Sequence, residues 1–258
     1  MDHMSCGHLF RFPEKARFDR LIPKSKIYER AELGSVLRDK FVAQVGQIRW
    51  VYKLAPETIN LAATRSVIEI QVFRVELRSA VVDHEVLRAI DRAIPFPLIF
   101  ELTHSDRVKV AAAYKRPSES DSSRWVVGNY FESDWLPEDL PRQPLPVALD
   151  MAALYEQLLS PLVARQSRPS PVPSVTYEVS ALYTATPQAA ASVVSLTLEQ
   201  RIALTERITA KTKEIERIKS RLAREKQFNK RVAINTELRN ARQELERLTS
   251  QAAASVSH

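Results

Sequence analysis

Alternating apolar and polar side chains give the strongest strand predictions in the first half of the chain. The stretch QIRWVYKL (47–54) alternates large apolar residues with mostly charged ones, which is typical of a strand with one buried face. The stretch VIEIQVFRVEL (67–77) is rich in β-branched residues, and its alternation slips near Val72, which predicts a strand with a bulge. Shorter apolar runs predict three further strands, at 95–102, 108–115 and 124–132.

Apolar residues at helical spacing predict three helices around these strands. Asp83 is placed to cap the second of them. The order over residues 20–165 is helix, two strands, helix, three strands, helix. The strand–helix–strand passage at 67–102 permits a parallel crossover, whereas the later strands are close enough in sequence to form hairpins. We therefore expect an α/β domain with a mixed sheet, of the α+β type, over residues 1–165. The predicted helices cover 29–45, 83–93 and 149–163.

The last quarter of the chain has the pattern of a long helix. Residues 166–195 are rich in Ser, Pro, Ala and Thr and predict a linker. In 196–258 apolar residues then follow spacings of four and three in two runs, which are out of phase across 225–235. This pattern predicts a long helical arm, either a coiled coil with a stutter or a helical hairpin. The two runs are Leu204, Ile208, Ile215, Ile218 and Leu222, and then Leu238, Ala241, Leu245 and Leu248.

Composition excludes several classes of protein. The 258 residues include four Gly, so a Gly-rich phosphate-binding loop is not expected. Cys6 is the single cysteine, which excludes a disulfide framework and is typical of a reducing compartment. No stretch reaches the ~20 apolar residues of a membrane span, and no secretory signal is visible at the N-terminus. We therefore expect a cytoplasmic protein with no membrane association.

The positive charge of the chain is concentrated at its C-terminal end. The net charge is +7; residues 196–258 hold 14 Lys and Arg against 8 Glu, whereas residues 1–195 hold 24 Lys and Arg against 23 Asp and Glu. This asymmetry favours an anionic partner for the arm, nucleic acid first. The alternative is that a long exposed helix is simply rich in charge.

Several short stretches resemble an uncharacterised bacterial family, known as a domain of unknown function. The blocks LIPKSKIYE, WVYKLAPETINL, VIEIQVFRVEL, AIDRAIPFPLIFEL, AAAYK and NYFESDW occur in the order found in that family. The stretch REKQFNKRVAINTELR (224–239) is similar to its C-terminal helical signature. The resemblance implies a gene beside SNF2-like helicases and DNA methyltransferases, in restriction or antiviral defence islands. It implies no catalytic residue.

One set of residues is compatible with a metal-dependent nuclease. Glu69 and Gln71 form an acid–x–Gln pair on a predicted strand, Glu101 ends the next predicted strand, and Lys115 ends another. Two carboxylates there would hold Mg²⁺, the cofactor of this alternative. We favour the other interpretation, in which Glu69 and Gln71 form the polar face of a half-buried strand, because a third ligand is missing.

The arm contains residues that a plain helix does not need. Phe228, Asn229, Val232 and Asn235 lie where the apolar pattern breaks, and Asn235 follows Phe228 by one heptad. An Asn at a core-facing position lowers stability and selects a partner or register, so we expect these four residues to bind a protein partner. The alternative is a coiled-coil stutter without a binding role. The cations around this face are predicted to contact nucleic acid; they are Arg221, Arg224, Lys226, Lys230 and Arg231.

Together these patterns favour a non-enzymatic accessory or adaptor subunit of a bacterial DNA-defence or restriction complex. The arm would bind a helicase or DNA methyltransferase subunit, DNA, or both, without a cofactor. Two alternatives remain open from the sequence. The first is the Mg²⁺-dependent nuclease, and the second is a structural protein that forms homodimers or larger homo-oligomers through the coiled coil.

Overall fold

The protein is described by a computed structural model over residues 8–118, 125–166 and 196–254. It divides into two compact units, residues 1–162 and 163–258. We call the first the α+β unit. The predicted linker at 166–195 lies outside the described residues from position 167 onward.

A mixed, mostly antiparallel sheet forms the centre of the α+β unit. Six strands follow one another in the order β2-β3-β4-β5-β6-β7, and a seventh, β8, pairs with β6. Only the β4–β5 pair is parallel, and every other pair in this sheet is antiparallel. Two shorter strands, β1 and β9, form a separate parallel pair. The strands are β1 (Phe10–Arg11), β2 (Arg17–Leu21), β3 (Val45–Leu54), β4 (Ile70–Leu77), β5 (Leu98–His104), β6 (Arg107–Pro117), β7 (Trp125–Glu132), β8 (Leu136–Pro137) and β9 (Gln143–Pro144).

All five predicted strands are present, and the predicted bulge lies on the partner strand. Trp50 of β3 pairs with Phe73 of β4, and Tyr52 pairs with Val72, so the extra residue is Val51. The slip in alternation near Val72 therefore marks the place where β3, not β4, carries the irregularity. The edge strand β2 was not predicted. It is mostly exposed and so lacks an apolar alternation, and its register shifts between Arg17 and Arg20.

The first predicted helix, 29–45, is wrong as a single element. It divides into α1 (Lys24–Arg30) and α2 (Ser35–Gln44). Glu32 takes the left-handed conformation, with φ of 50°, and the amide of Leu33 bonds to the carbonyl of Tyr28. This local arrangement is a common way to end a helix, so the chain changes direction before α2 begins.

Two later helices follow the prediction closely. The crossover helix α4 (His84–Ala93) begins at Asp83, whose carboxylate accepts a hydrogen bond from the amide of Glu85 at 2.9 Å. Helix α5 (Met151–Gln166) follows a connection rich in proline. Between β3 and β4 lies one short helix, α3 (Pro56–Ile59).

The central strand β4 is buried on both faces of the sheet. Phe73 and Phe100 pack in one core with residues of α1, α2 and α4. Ile70 and Val72 are also fully buried, although they alternate with Phe73 along the strand. Strand β4 is therefore covered from both sides, although Gln71, Arg74 and Glu76 interrupt its apolar sequence.

The C-terminal segment is a helical hairpin rather than one continuous helix. Helix α6 (Leu198–Arg224) and helix α7 (Phe228–Ala254) are joined by residues 225–227 and pack against each other. Thr197 and Gln200 form a capping box at the start of α6. The phase change predicted across 225–235 is thus the reversal of the chain. The hairpin core consists of Ile215, Ile218, Ile234, Leu238 and Ala241 toward the turn, and of Leu204, Ile208, Leu248 and Ala252 toward the open end.

The hairpin also uses the apolar stripe on which a homodimer would depend. The residues that a two-chain coiled coil would bury are buried here within a single chain. In the part of the chain that the structure describes, no helix has the length and apolar character that crossing a membrane requires.

Candidate functional site

Glu69 and Gln71, the first two residues of the nuclease alternative, form a hydrogen bond with each other at the start of β4. Glu69 immediately precedes this strand and is buried. The side-chain amide of Gln71 donates to Glu69 Oε1 at 2.5 Å, and Lys53 Nζ lies 3.4 Å from Glu69 Oε2. The carboxylate is thus engaged by protein groups on both oxygens, which supports the interpretation of this pair as structural.

Glu101 is held by two arginines. Arg142 donates to its carboxylate oxygens at 2.5 and 3.1 Å, and Arg74 donates to Oε2 at 2.9 Å. Burial by itself would raise the pKa of Glu101, but the hydrogen bond and charge of Arg142, with help from Arg74, hold that pKa below its ordinary value. Arg142 also donates to the carbonyl of Phe10, so this carboxylate ties distant parts of the chain together.

Lys115 closes the C-terminal end of helix α4. Its Nζ donates to the carbonyl oxygens of Asp91 and Ile94 at 2.6 and 2.5 Å, and to Asp91 Oδ1 at 3.3 Å. All three ammonium hydrogens are therefore used. The hydroxyl of Tyr130 donates to the other oxygen of Asp91. Cations satisfy the unpaired carbonyls at helix ends, so the role of Lys115 is structural.

These four residues do not form one site. Phe100 and Leu102 pack in the core with α4, so Glu101, which lies between them, points to the opposite face of the sheet. Lys115 reaches α4 on the first face. Among the described residues, no group of three or more His, Cys, Asp or Glu is placed to hold a metal ion. The structure therefore does not bring Glu69, Gln71, Glu101 and Lys115 together as one centre.

The predicted partner-binding residues lie at the turn of the hairpin. Phe228 is the first residue of α7, and 78% of it is exposed; Val232, one turn later, is 50% exposed. Asn229 and Asn235 are also exposed. The expectation that Asn235 faces a helical core is wrong, because its neighbour Ile234 fills that position.

The charge of the hairpin is concentrated near the turn. We call residues 211–235 the distal half and the remainder of 196–258 the basal half. The distal half contains nine Lys and Arg but only three Glu, whereas the basal half contains five of each. The whole excess of positive charge in 196–258 thus lies around the turn.

Most of the distal cations make no ion pair with a described residue. Lys211 pairs with Glu214 at 2.7 Å, Lys219 pairs with Glu216 at 2.6 Å, and Arg221 pairs with Glu237 across the two helices. The other six are exposed and make no ion pair within the described chain, and we call them the unpaired cations. They are Lys213, Arg217, Arg224, Lys226, Lys230 and Arg231.

Two features shape the surface at the turn. The carboxylate of Glu225 accepts a hydrogen bond from the amide of Gln227 at 2.9 Å, and this bond, helped by the charge of Lys230, lowers the pKa of Glu225. Glu225 is thus occupied in holding the turn. Beside it lies an open depression of about 500 Å³, whose basic lining residues are Arg217, Arg221 and Arg224. Glu216 and Glu225 also line this depression, so its lining carries both signs of charge.

The cations predicted from the sequence to contact nucleic acid all lie in the distal half and are exposed. Lys213 and Arg217 also lie exposed in the distal half, farther along the chain from Phe228 than the predicted set. A count of charge along the arm would have found them, since they lie in the same half as the predicted set. No sequence pattern indicates that Arg142 pairs with Glu101, because Arg142 lies in a proline-rich connection far from Glu101 in sequence.

Comparison with known proteins gives one match. No curated protein and no solved structure matches the chain. The resemblance of its sequence blocks to an uncharacterised family is confirmed at the level of the family. The model described as "Domain of unknown function (DUF4391)" matches residues 10–245, and the chain therefore belongs to this family.

Proposed function

We propose that this protein is a non-enzymatic accessory subunit that binds nucleic acid, DNA first, through the distal half of its helical hairpin. The observation that carries this proposal is the group of six unpaired cations around the turn. An exposed cation that already has a carboxylate partner gains little from a phosphate, whereas an unpaired one loses only water and a counterion.

The same cations give the proposal a quantitative form. Each phosphate neutralised by a Lys or Arg contributes about 0.9 to the slope of log affinity against log salt on duplex DNA. If all six unpaired cations contact phosphates, the slope is about −5. Binding by the hairpin should therefore be strong at low salt and fall steeply as salt is added.

The α+β unit would join the hairpin to a larger assembly. A helicase or DNA methyltransferase subunit is the partner implied by the family resemblance, and we retain it as part of the proposal. In such an assembly the partner would supply the reaction, and this chain would supply a contact to the DNA. The positive charge of the distal half would also increase the rate of association with DNA through electrostatic steering.

The test is fluorescence anisotropy of a labelled DNA duplex with the full-length protein across a salt series. The variant Lys230→Gln/Arg231→Gln removes two unpaired cations beside the turn. It should weaken binding and reduce the salt slope by about 2. The matched control is Arg207→Gln/Arg247→Gln, which removes the same charge from the basal half, where both arginines pair with Glu244.

The two variants separate a local contact from an effect of net charge. If the control weakens binding as much as the distal variant, only the overall charge of the chain matters and the hairpin turn is not the binding site. If the unaltered protein binds no DNA at low salt, the proposal is wrong.

A further inference from the structure

Phe228 is an exposed aromatic side chain at the turn of the hairpin, where a binding partner could contact it. It begins α7 directly after the turn, and it is far more exposed than the core residues of the same helix. Burying a Phe side chain stabilises a protein, so an aromatic residue that stays exposed at the end of a hairpin contributes none of that stabilisation within the chain. A binding partner that covers the ring would recover it.

The surroundings of Phe228 define the chemistry of such a partner. Lys226 and Lys230 stand two residues before and after it, and Arg231 follows one position later; all three are unpaired cations. Asn229, also exposed, adds an amide that both donates and accepts hydrogen bonds. An apolar protein surface placed on Phe228 would bring these cations against apolar groups, which is costly.

An unpaired nucleobase satisfies both requirements. It presents a flat π-face to the ring, and the phosphates on either side of it lie within reach of flanking cations. In a continuous duplex the base faces are covered by neighbouring base pairs, so the ring would find no surface to stack on.

On this basis we propose that the hairpin turn recognises DNA with an unpaired base, at a single-stranded overhang or fork, by stacking Phe228 on that base. This inference rests on the proposed DNA binding by the distal half and adds the kind of DNA that is bound. The unpaired cations give affinity for any DNA, and Phe228 gives the preference for unpaired bases.

The test compares two probes with the full-length protein: a blunt duplex, and the same duplex with a single-stranded overhang carrying 2-aminopurine at the junction. We expect tighter binding to the overhang and quenching of the 2-aminopurine fluorescence. Phe228→Ala should weaken overhang binding about tenfold and abolish the quenching, while leaving duplex binding nearly unchanged. Phe228→Trp should restore both, because Trp also stacks.

A matched control removes a different exposed apolar side chain. Leu149, in the α+β unit, is 92% exposed, and Leu149→Ala should change neither affinity nor quenching. Because Phe228 lies outside the hairpin core, its variants should keep the unaltered thermal unfolding profile.

The possible failures are distinguishable. Equal affinity for the two probes, or quenching that persists in Phe228→Ala, overturns the stacking inference and leaves DNA binding by the cations intact. Absence of binding to either probe overturns the proposed function as well. If Phe228→Ala leaves DNA binding unaltered but releases a bound protein subunit, the ring serves a protein partner and the inference is wrong.

Discussion

Lys115 and Asp91 form a buried ion pair at the end of helix α4, in which Nζ lies 3.3 Å from the carboxylate and 2.6 Å from the main-chain carbonyl of the same aspartate. Both side chains are almost fully buried. Burial lowers the pKa of Lys115 and raises the pKa of Asp91, and each partner opposes the shift of the other. The pair joins β6 to α4, and these contacts explain why a lysine is buried at this position.

Replacement of Lys115 by Met should therefore lower stability severely. It leaves Asp91 Oδ1 and two helix-end carbonyls without the donor Lys115, and breaking a buried pair in this way costs about 3–5 kcal/mol. Urea unfolding measured by circular dichroism checks this. Lys40→Met is the control, since Lys40 pairs with Asp83 at the solvent-exposed surface and its loss should cost far less stability. Equal losses in the two variants would contradict the structural role of Lys115.

Glu101 should make the α+β unit sensitive to acid. Its pKa in the folded protein lies below the ordinary value of 4.5, so its ionised form contributes stability that is fully present above that pH and is lost as the pH falls through the folded pKa. Glu101→Gln should flatten the decline of stability below about pH 4.5 in urea unfolding at a series of pH values. Glu57→Gln, at an exposed carboxylate paired with Lys53, should leave that decline nearly unchanged. A decline that is the same in all three proteins would refute the assignment.

The hairpin core should depend on Ile234 and not on Asn235. Ile234→Asn places an amide in a buried apolar position and should lower the stability of the hairpin by about 2 kcal/mol or more. Asn235→Leu alters an exposed position, where changes usually stay within about 0.5 kcal/mol. Thermal unfolding of the full-length variants separates the two. A large change in thermal stability on Asn235→Leu would instead indicate that Asn235 faces the helical core, as the sequence suggested.

Limited proteolysis should cut the chain between its two units. The segment 169–195 contains no Lys or Arg, so trypsin is unsuitable, but its Ala and Val residues are substrates for elastase. We expect elastase to cut first within 166–195 and to leave fragments close to residues 1–165 and 196–258, because a segment rich in Ser, Pro, Ala and Thr is typical of a linker between folded units. First cuts within the strands of the α+β unit, as read by mass spectrometry, would contradict the domain assignment.

The local elements of this protein could be read from its sequence. Alternation identified β3 and β4, Asp83 identified the start of α4, and the spacing of four and three identified the helices of the arm. The concentration of charge near Phe228 was also visible. These features depend on neighbours within one or two turns of the chain, so periodicity and capping determine them.

Only the tertiary structure decided which distant residues meet. The same apolar spacing is compatible with a continuous coil and with a hairpin, and the reversal at 225–227 selects the hairpin and exposes Asn235. Likewise, Glu101 looked like a metal ligand until Arg142, 41 residues later in the chain, was found beside it. The sequence fixes which side chains are polar, but the partner of a polar group depends on strand pairing and chain reversal, which bring together residues that no local pattern connects.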